Sequence, residues 1–247
     1  IPTMVNLAGQ DRARYIERMF SRISSRYDRL NTIMTAGRHH AWRRLAVKIA
    51  ITDLKGPGLD IATGTGDFAI ELAVRPEVDQ IVGLDFAKPM LPIAIEKSER
   101  RATTSTINYI VGDAHSLPFP DNTFTYTTVG FGLRNFIDIP AALSEMVRVL
   151  QPGGRLVILE IVRMNSKGLL PLLLPIYFRH ITPWMGTFFA GDKEAYTYLP
   201  ESVEGFMSAN EIAEAVKDSG LLVLRKKSLG LGTVSILIGE KQGKGNY

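Results

Sequence analysis

Apolar residues recur at intervals of three and four through the first thirty positions of the chain. Ile16, Met19, Phe20, Ile23, Tyr27 and Leu30 share one stripe, which predicts an amphipathic helix over about residues 11–30. Arg14, Arg18, Arg22, Arg26 and Arg29 fall largely off that stripe. A second helix is predicted over 40–49, ended by the turn signal Gly56-Pro57-Gly58. The period then changes. Apolar runs over 58–62, 80–85, 107–113, 124–132 and 155–162 read as strands. Between them, helical stretches run from the glycine turn through Leu72, from beyond Asp85 to about Lys97, and over 140–150. Ser208 with Glu211 three residues on marks the start of a helix reaching Asp218. Two last strands, 221–230 and 233–241, read as a terminal hairpin. Strands alternating with helices imply an α/β fold whose parallel sheet is covered on both faces.

Residues 164–200 break the rhythm, with Pro171, Pro175, Pro183 and Pro200 set among Leu, Phe, Tyr and Trp. They read as an inserted helical lid over the carboxyl edge of the sheet. Within them 168–178 is apolar but too short to span a bilayer, and Pro171 and Pro175 interrupt it. The expected division is therefore an N-terminal helical arm, 1–50, and a main domain, 51–247, carrying the lid.

Composition changes the picture at three points. Absence of cysteine excludes disulfides, thiolate metal sites and a cysteine nucleophile. The first twenty residues lack a continuous apolar stretch, so no signal peptide is expected, and the opening Ile1 suggests a trimmed N-terminus. Residues 1–50 hold ten Lys/Arg against three Asp/Glu, a net of +7, so the rest of this +4 chain sums to −3. A basic arm on a mildly acidic body suits an anionic surface or ligand, or simply a solvated helix face. Nucleic acid is not expected, because the main fold is not basic and lacks interleaved aromatics.

The chemistry gathers at predicted strand ends. Asp60 lies in the first strand, and Gly64-Thr65-Gly66 follow it with a sharp turn into a helix that lets a ligand approach the backbone closely. Gly64 to Ala69 alone also fits the dinucleotide fingerprint G-x-G-x-x-G/A, and a plain tight turn is the bland alternative. Asp85 ends the second strand 19 residues beyond Gly66, where a carboxylate can accept from both ribose hydroxyls or cap a helix. Asp113 ends the third, where it can meet an adenine amino group or close a turn. No cluster at metal-ligand spacing is visible, so no metal is expected.

Taken together, D-x-x-T-G-T-G-D, V-G-L-D and G-D-A-x-x-L-P-F-P-D-N-T-F over residues 55–163 resemble the class I S-adenosylmethionine-dependent methyltransferases. Tyr27-Asp28-Arg29-Leu30-Asn31 with Met34-Thr35, His39 and Trp42 is similar to the N-terminal signature of a narrower family. That family is the ubiquinone/menaquinone biosynthesis C-methyltransferases of the UbiE type. Phe131-Gly132-Leu133-Arg134-Asn135, Arg148–Gly154 and Ala195–Ser202 match its other signatures, although the second of these is common to many methyltransferases.

The resemblance implies a Rossmann-like, mostly parallel seven-stranded sheet and S-adenosyl-L-methionine as cofactor. The implied contacts are Gly64, Thr65 and Gly66 around the methionine part, Asp85 at the ribose and Asp113 with Ala114 at the adenine, with Asp60, Phe86 and Met90 as further cofactor contacts. Two departures stand out. Thr63-Gly64 replaces a small residue plus Gly, and Gly130 stands where relatives carry a cofactor-contacting Ser.

The implied reaction is methylation of a ring carbon in a polyprenyl quinol. Arg134 is the expected electrostatic and proton-relay residue, Asn135 its orienting partner and His39 a proton carrier. A surface ion pair for Arg134 and a structural hydrogen bond for His39 are the plain alternatives. Tyr27, Asn31, Trp42, Phe131 and Tyr196 are the expected substrate contacts, with core packing the alternative for the aromatic rings. A lipophilic quinol, an anionic membrane surface and a second copy in a homodimer are the expected partners. The expected place is cytoplasmic, peripheral at the inner face of the membrane. Another small-molecule methyltransferase, an NAD-type oxidoreductase and a non-catalytic scaffold remain open alternatives.

Overall fold

The computed structural model describes residues 9–51, 54–101, 103–164, 198 and 201–243. The predicted lid, apart from Met164 and Tyr198, and the predicted substrate contact Tyr196 lie outside these residues.

Three helices precede the sheet: α1 (Gly9–Ile23), α2 (Tyr27–Thr35) and α3 (Arg38–Ala50). The single predicted helix over 11–30 is therefore two, separated by a 3-10 turn at Ser24–Arg26. Ser24 explains the break, because its hydroxyl donates back to the Ser21 carbonyl at 3.0 Å and competes with the helical ladder. The apolar stripe nevertheless faces inward, burying Ile16, Met19, Ile23 and Leu30, while Arg14, Arg18, Arg22, Arg26 and Arg29 stay exposed. Ala36 and Gly37, both left-handed, end α2 with the Gly37 amide on the Thr32 carbonyl and aim α3 across the sheet.

The remaining elements alternate as predicted: β1 (Gly56–Ile61), α4 (Asp67–Ala73), β2 (Val78–Asp85), α5 (Leu91–Glu99), β3 (Thr106–Val111), β4 (Phe124–Gly130), α6 (Ile139–Val149) and β5 (Leu150–Ile161). They are followed by α7 (Ala209–Asp218), β6 (Leu221–Leu229) and β7 (Val234–Lys241). The sheet order is β3-β2-β1-β4-β5-β7-β6. The first five strands are parallel, and β7 runs antiparallel to both neighbours. This is the mostly parallel seven-stranded Rossmann-like sheet. The terminal pair is antiparallel, with β7 inserted between β5 and β6 rather than added at the edge.

Burial follows the pleat. Along β5, Leu156 and Ile158 pack into the core beneath α6 and α7, whereas Val157 and Leu159 pack against α3 and α4. With both faces covered, the strand reads as a continuous apolar run. The connections reverse direction between β1 and β4, which opens a crevice at the carboxyl ends of the strands. The fourth strand stops at Gly130, two residues short of its predicted end, because Phe131 adopts φ 59° and turns the chain into a 3-10 turn at Leu133–Asn135.

Candidate active site

The carboxyl ends of β1, β2, β3 and β4 open onto a cleft of about 890 Å³, and Ala13, Ile16 and Phe20 of α1 form its outer wall. Its wall combines apolar side chains with a few polar groups, as small-molecule and cofactor sites do.

The turn after β1 is built from below. Asp60 is buried, and one carboxylate oxygen accepts from the Thr63 hydroxyl at 2.6 Å and the Ala69 amide at 3.1 Å. The other oxygen accepts from the Thr128 hydroxyl at 2.7 Å. Burial pushes its pKa up to about 6, against the pull of those hydroxyls and of Arg43. Asp60 thus shapes the loop rather than lining the cleft. Gly64 and Gly66 take φ values of 56° and 82°. A side chain at Gly66 would also strike the Tyr109 hydroxyl, 2.5 Å from where its Cβ would stand.

Asp85 closes the loop from the neighbouring strand. Its Oδ2 accepts from the Gly64 amide at 2.6 Å and its Oδ1 from the Ala87 amide at 2.8 Å. Burial raises its pKa, and these backbone donors act against that rise. The carboxylate remains part of the cleft wall, with Phe86 and Met90 beside it. At the tip of β3, Asp113 accepts from the His115 amide at 2.9 Å and from His115 Nδ1 at 2.6 Å, so it closes the turn while also lining the cleft next to Ala114.

The arm is pinned over this loop. Asp28 accepts from the Thr65 hydroxyl at 2.5 Å and from Lys97 Nζ at 2.8 Å, and Lys97 also donates to Asp67 at 2.5 Å. Tyr27 consequently lies across Gly64, its Cε1 3.6 Å from where a Cβ on that glycine would stand. Neither Asp28 nor Lys97 was expected as a contact from the sequence, although Asp28 is one of only three acids in a basic arm.

Nine of the expected contacts line one cleft: Gly64, Asp85, Phe86, Met90, Asp113, Ala114, Tyr27, Phe131 and Asn135. Asp60 and Thr65 line a smaller cavity beside it. Gly66 is part of neither wall and carries the turn into α4. Asn31 lies beside the Tyr27 hydroxyl, its amide nitrogen buried and without a well-formed hydrogen bond among the described residues. The Ser contact of relatives has no substitute among the nearby threonines, since Thr128 serves Asp60 and neither Thr127 nor Thr128 lines the cleft. A side chain at Gly130 would meet Phe68 at 2.6 Å.

Three expectations are corrected. Trp42 is half-buried against the core, its ring 3.4 Å from where a Cβ on Gly230 would stand, and is a packing residue rather than a cleft contact. His39 is fully buried away from the cleft. Arg43 donates to its Nδ1 at 2.6 Å, and Nε2 lies 3.2 Å from the Thr32 hydroxyl, which itself donates to the Asp28 carbonyl. A guanidinium carries no acceptor, so the proton sits on Nε2 and His39 is a neutral structural link. Burial first, then Arg43, lowers its pKa to about 4.

Arg134 is the third correction. The surface ion pair offered as its plain alternative is instead a buried one, with Nη1 donating to Glu160 Oε1 and to the Phe131 carbonyl, each at 2.6 Å. The guanidinium stays behind the wall that Phe131 and Asn135 present. Burial opposes its charge, but Glu160 holds its pKa above the usual range. Glu160 was missed, although a lone acid in an otherwise apolar strand was the available signal.

The buried His39 permits a direct check. Above pH 6.5 both folded and unfolded chains hold it neutral. As pH falls toward 4 the unfolded chain gains a proton that the folded one refuses, so the residue's stabilising contribution fades in that window. Asp60 acts in the opposite sense, contributing at low pH and losing that contribution as pH rises through about 6. NMR titration of the His39 ring carbons is expected to show no inflection between pH 5 and 8; a midpoint near 6.5 would contradict the buried geometry.

His39, His40 and Asp67 form a group at metal-ligand spacing among the described residues. Arg43 Nη1 occupies it, 2.6 Å from His39 and 3.4 Å from Asp67, and its positive charge opposes a cation there.

A glycine turn, an acid at the tip of β2 and a cleft over a β3-β2-β1-β4-β5-β7-β6 sheet define a class I, Rossmann-like methyltransferase. Residues 8–241 match the ubiE/COQ5 methyltransferase family, and the chain belongs to it. The demethylmenaquinone methyltransferase of Deinococcus radiodurans is 41% identical over 233 residues, covering 94% of this chain and 95% of that one. That of Thermus thermophilus is 42% identical over 223 residues, covering 90% and 100%. Among solved structures, a SAM-dependent methyltransferase from Thermotoga maritima superposes with a TM-score of 0.63 at 19% identity, covering 91% of this chain and 99% of that one. That likeness concerns the fold. The dinucleotide reading that the glycine turn alone permits gives way to the family.

Proposed function

We propose that the protein methylates a ring carbon of a polyprenyl quinol with S-adenosylmethionine as donor, demethylmenaquinol being the favoured substrate. One observation carries the reading: Gly64, Asp85 and Asp113, on three neighbouring strand tips, share a cleft whose other wall is the apolar face of the arm. The donor set fits the cofactor. Asp85 suits ribose hydroxyls, Phe86 and Met90 suit an adenine face, and the open backbone at Gly64 admits the amino-acid part. Bound there, S-adenosylmethionine supplies an electrophilic sulfonium methyl. The names of relatives about 40% identical over nine-tenths of the chain favour the naphthoquinol, and the family description keeps ubiquinone precursors within the class.

The chain's own residues prepare the ring. A quinol carbon becomes a competent nucleophile when a ring hydroxyl loses its proton, so the site must favour the phenolate and exclude water. Arg134 gives the required field. Tyr27 and Tyr198 are phenols whose pKa burial raises, and the Arg134 charge pulls both back down. A quinol hydroxyl held near Tyr27 experiences the same pull. Asn135, on the cleft wall, accepts from the Tyr198 hydroxyl and so leaves its two N–H donors for a ring oxygen. Phe20 and Ile16 close the arm side against solvent.

Reduced demethylated naphthoquinol and benzoquinol offered side by side test the substrate. Turnover is expected on both, faster on the naphthoquinol; methylation of neither would remove the assignment. Among the described residues no helix is long and apolar enough to cross a membrane. The exposed arginines of α1 and α2 support docking on an anionic surface. Flotation with anionic vesicles is expected to carry the protein upward at low salt and to release it at high salt. Recovery wholly in the lower fraction would end the docking idea.

A further inference from the structure

The arm that walls the cleft packs apart from the body it covers. Ile16 and Met19 of α1 cluster with Tyr198, and Ile23 and Leu30 cluster with Phe20, Tyr27 and Met34. Neither cluster merges with the two larger cores on the faces of the sheet, whereas Ala46, Val47 and Ala50 of α3 belong to one of those cores. Helices α1 and α2 thus form one small unit, and α3 is part of the body. The joint between them is Ala36-Gly37, both left-handed at φ 48° and 72°. A Cβ on Gly37 would meet nothing within 4 Å, so the joint stands in open space. The Thr32–His39 contact spans it beside the pivot, where a rotation displaces it least.

At the other end of α2 the unit is fastened by charge. Asp28 Oδ2 accepts from Lys97 Nζ at 2.8 Å, and its Oδ1 accepts from the Thr65 hydroxyl at 2.5 Å. Lys97 donates also to Thr65 Oγ1 at 3.1 Å and to Asp67 at 2.5 Å. The arm, the glycine loop and the start of α4 therefore converge on one ammonium, and each of its three protons has an acceptor. The two acids differ in burial. The Asp67 side chain is 11% exposed and that of Asp28 39%. The half of the network that ties down Asp28 is wet, open to salt, and can part at modest cost.

We propose that α1 and α2 close over the cleft as a flap hinged at Ala36-Gly37, and that Lys97 is its clasp. The inference rests on the reading that the cleft takes S-adenosylmethionine. Tyr27, next to Asp28, lies across Gly64, and Ile16 and Phe20 complete the outer wall, so a cofactor seated beside Gly64 is covered while the clasp holds. Lys97 lines neither cavity. It is a positioning residue that acts through Asp28, holding Tyr27 in place during the reaction and letting the flap swing for exchange of spent cofactor. An ion pair that merely stiffens the fold is the competing account.

The release rate of labelled S-adenosylhomocysteine from the whole enzyme, chased with excess unlabelled ligand, separates the two. Lys97→Met and Asp28→Asn are each expected to speed release about 10-fold. The double variant should release no more than about 2-fold faster than either, because both changes cut the same clasp. Lys97→Arg restores the charge and is expected to stay within about 3-fold of wild type. Rising salt should speed release from wild type and leave that from Lys97→Met unchanged. Asp28→Asn keeps an acceptor for Thr65 and carries the test if Lys97→Met folds poorly. Release within about 2-fold of wild type in either folded single variant, or effects that multiply in the double, would overturn the proposal. Wild-type protein that binds no S-adenosylhomocysteine would instead overturn the cofactor reading on which it rests.

Discussion

Arg134→Ala is expected to lower stability by about 3–5 kcal/mol and to remove nearly all turnover. The first effect follows from Glu160, which is fully buried and would be left without its partner. The same guanidinium holds the Phe131 carbonyl, so the left-handed turn that presents Phe131 and Asn135 to the cleft loses its anchor. The two effects can be separated. Arg134→Met combined with Glu160→Leu removes the stranded charge and is expected to recover most of the stability in denaturant titrations. Turnover should remain about 10²- to 10³-fold down, because the field acting on the quinol hydroxyl is gone. The acid limb of residual activity should move to higher pH, since a phenol without a neighbouring cation ionises less readily. Recovery of activity in the double variant would reduce Arg134 to a structural role.

Asp85→Ala is expected to weaken S-adenosylhomocysteine binding by about 10²-fold, the loss for a carboxylate accepting two hydroxyls. Stability should move far less. Two backbone amides lose an acceptor, but a buried carboxylate held above its usual pKa is also removed, and the costs oppose each other. The affinity is read by calorimetry and the stability by thermal unfolding. An affinity within 2-fold of wild type would take the ribose role away from Asp85.

Much of this was legible in the residues, and the rest was hidden for identifiable reasons. Strand tips carrying Asp85 and Asp113 could be read because a period-two or continuous apolar run stops abruptly at an acid. The glycine turn could be read because Gly64 and Gly66 require positive φ. The position of β7 between β5 and β6 could not, since it depends on pairing Arg155 with Glu240 across 85 residues. The break in the arm turned on one serine bonding its own helix, which outweighed an intact apolar stripe.

Partners of charged groups were the least visible. Arg134 meets Glu160 through the crossover from β4 to β5, and Asp28 meets Lys97 across 69 positions. His39 and Arg43 are the exception. Four residues apart on one helix, they were neighbours by spacing, and that spacing placed an arginine on the nitrogen a proton carrier would have used.

The account depends most on where the nucleoside lies. A crystal structure of the enzyme with S-adenosylhomocysteine decides this directly. The ribose hydroxyls are predicted on Asp85, the adenine between Met90 and Ala114, and the sulfur beside Gly64. Density for the ligand outside this cleft, or a cleft closed by the protein's own side chains at saturating ligand, would contradict the account.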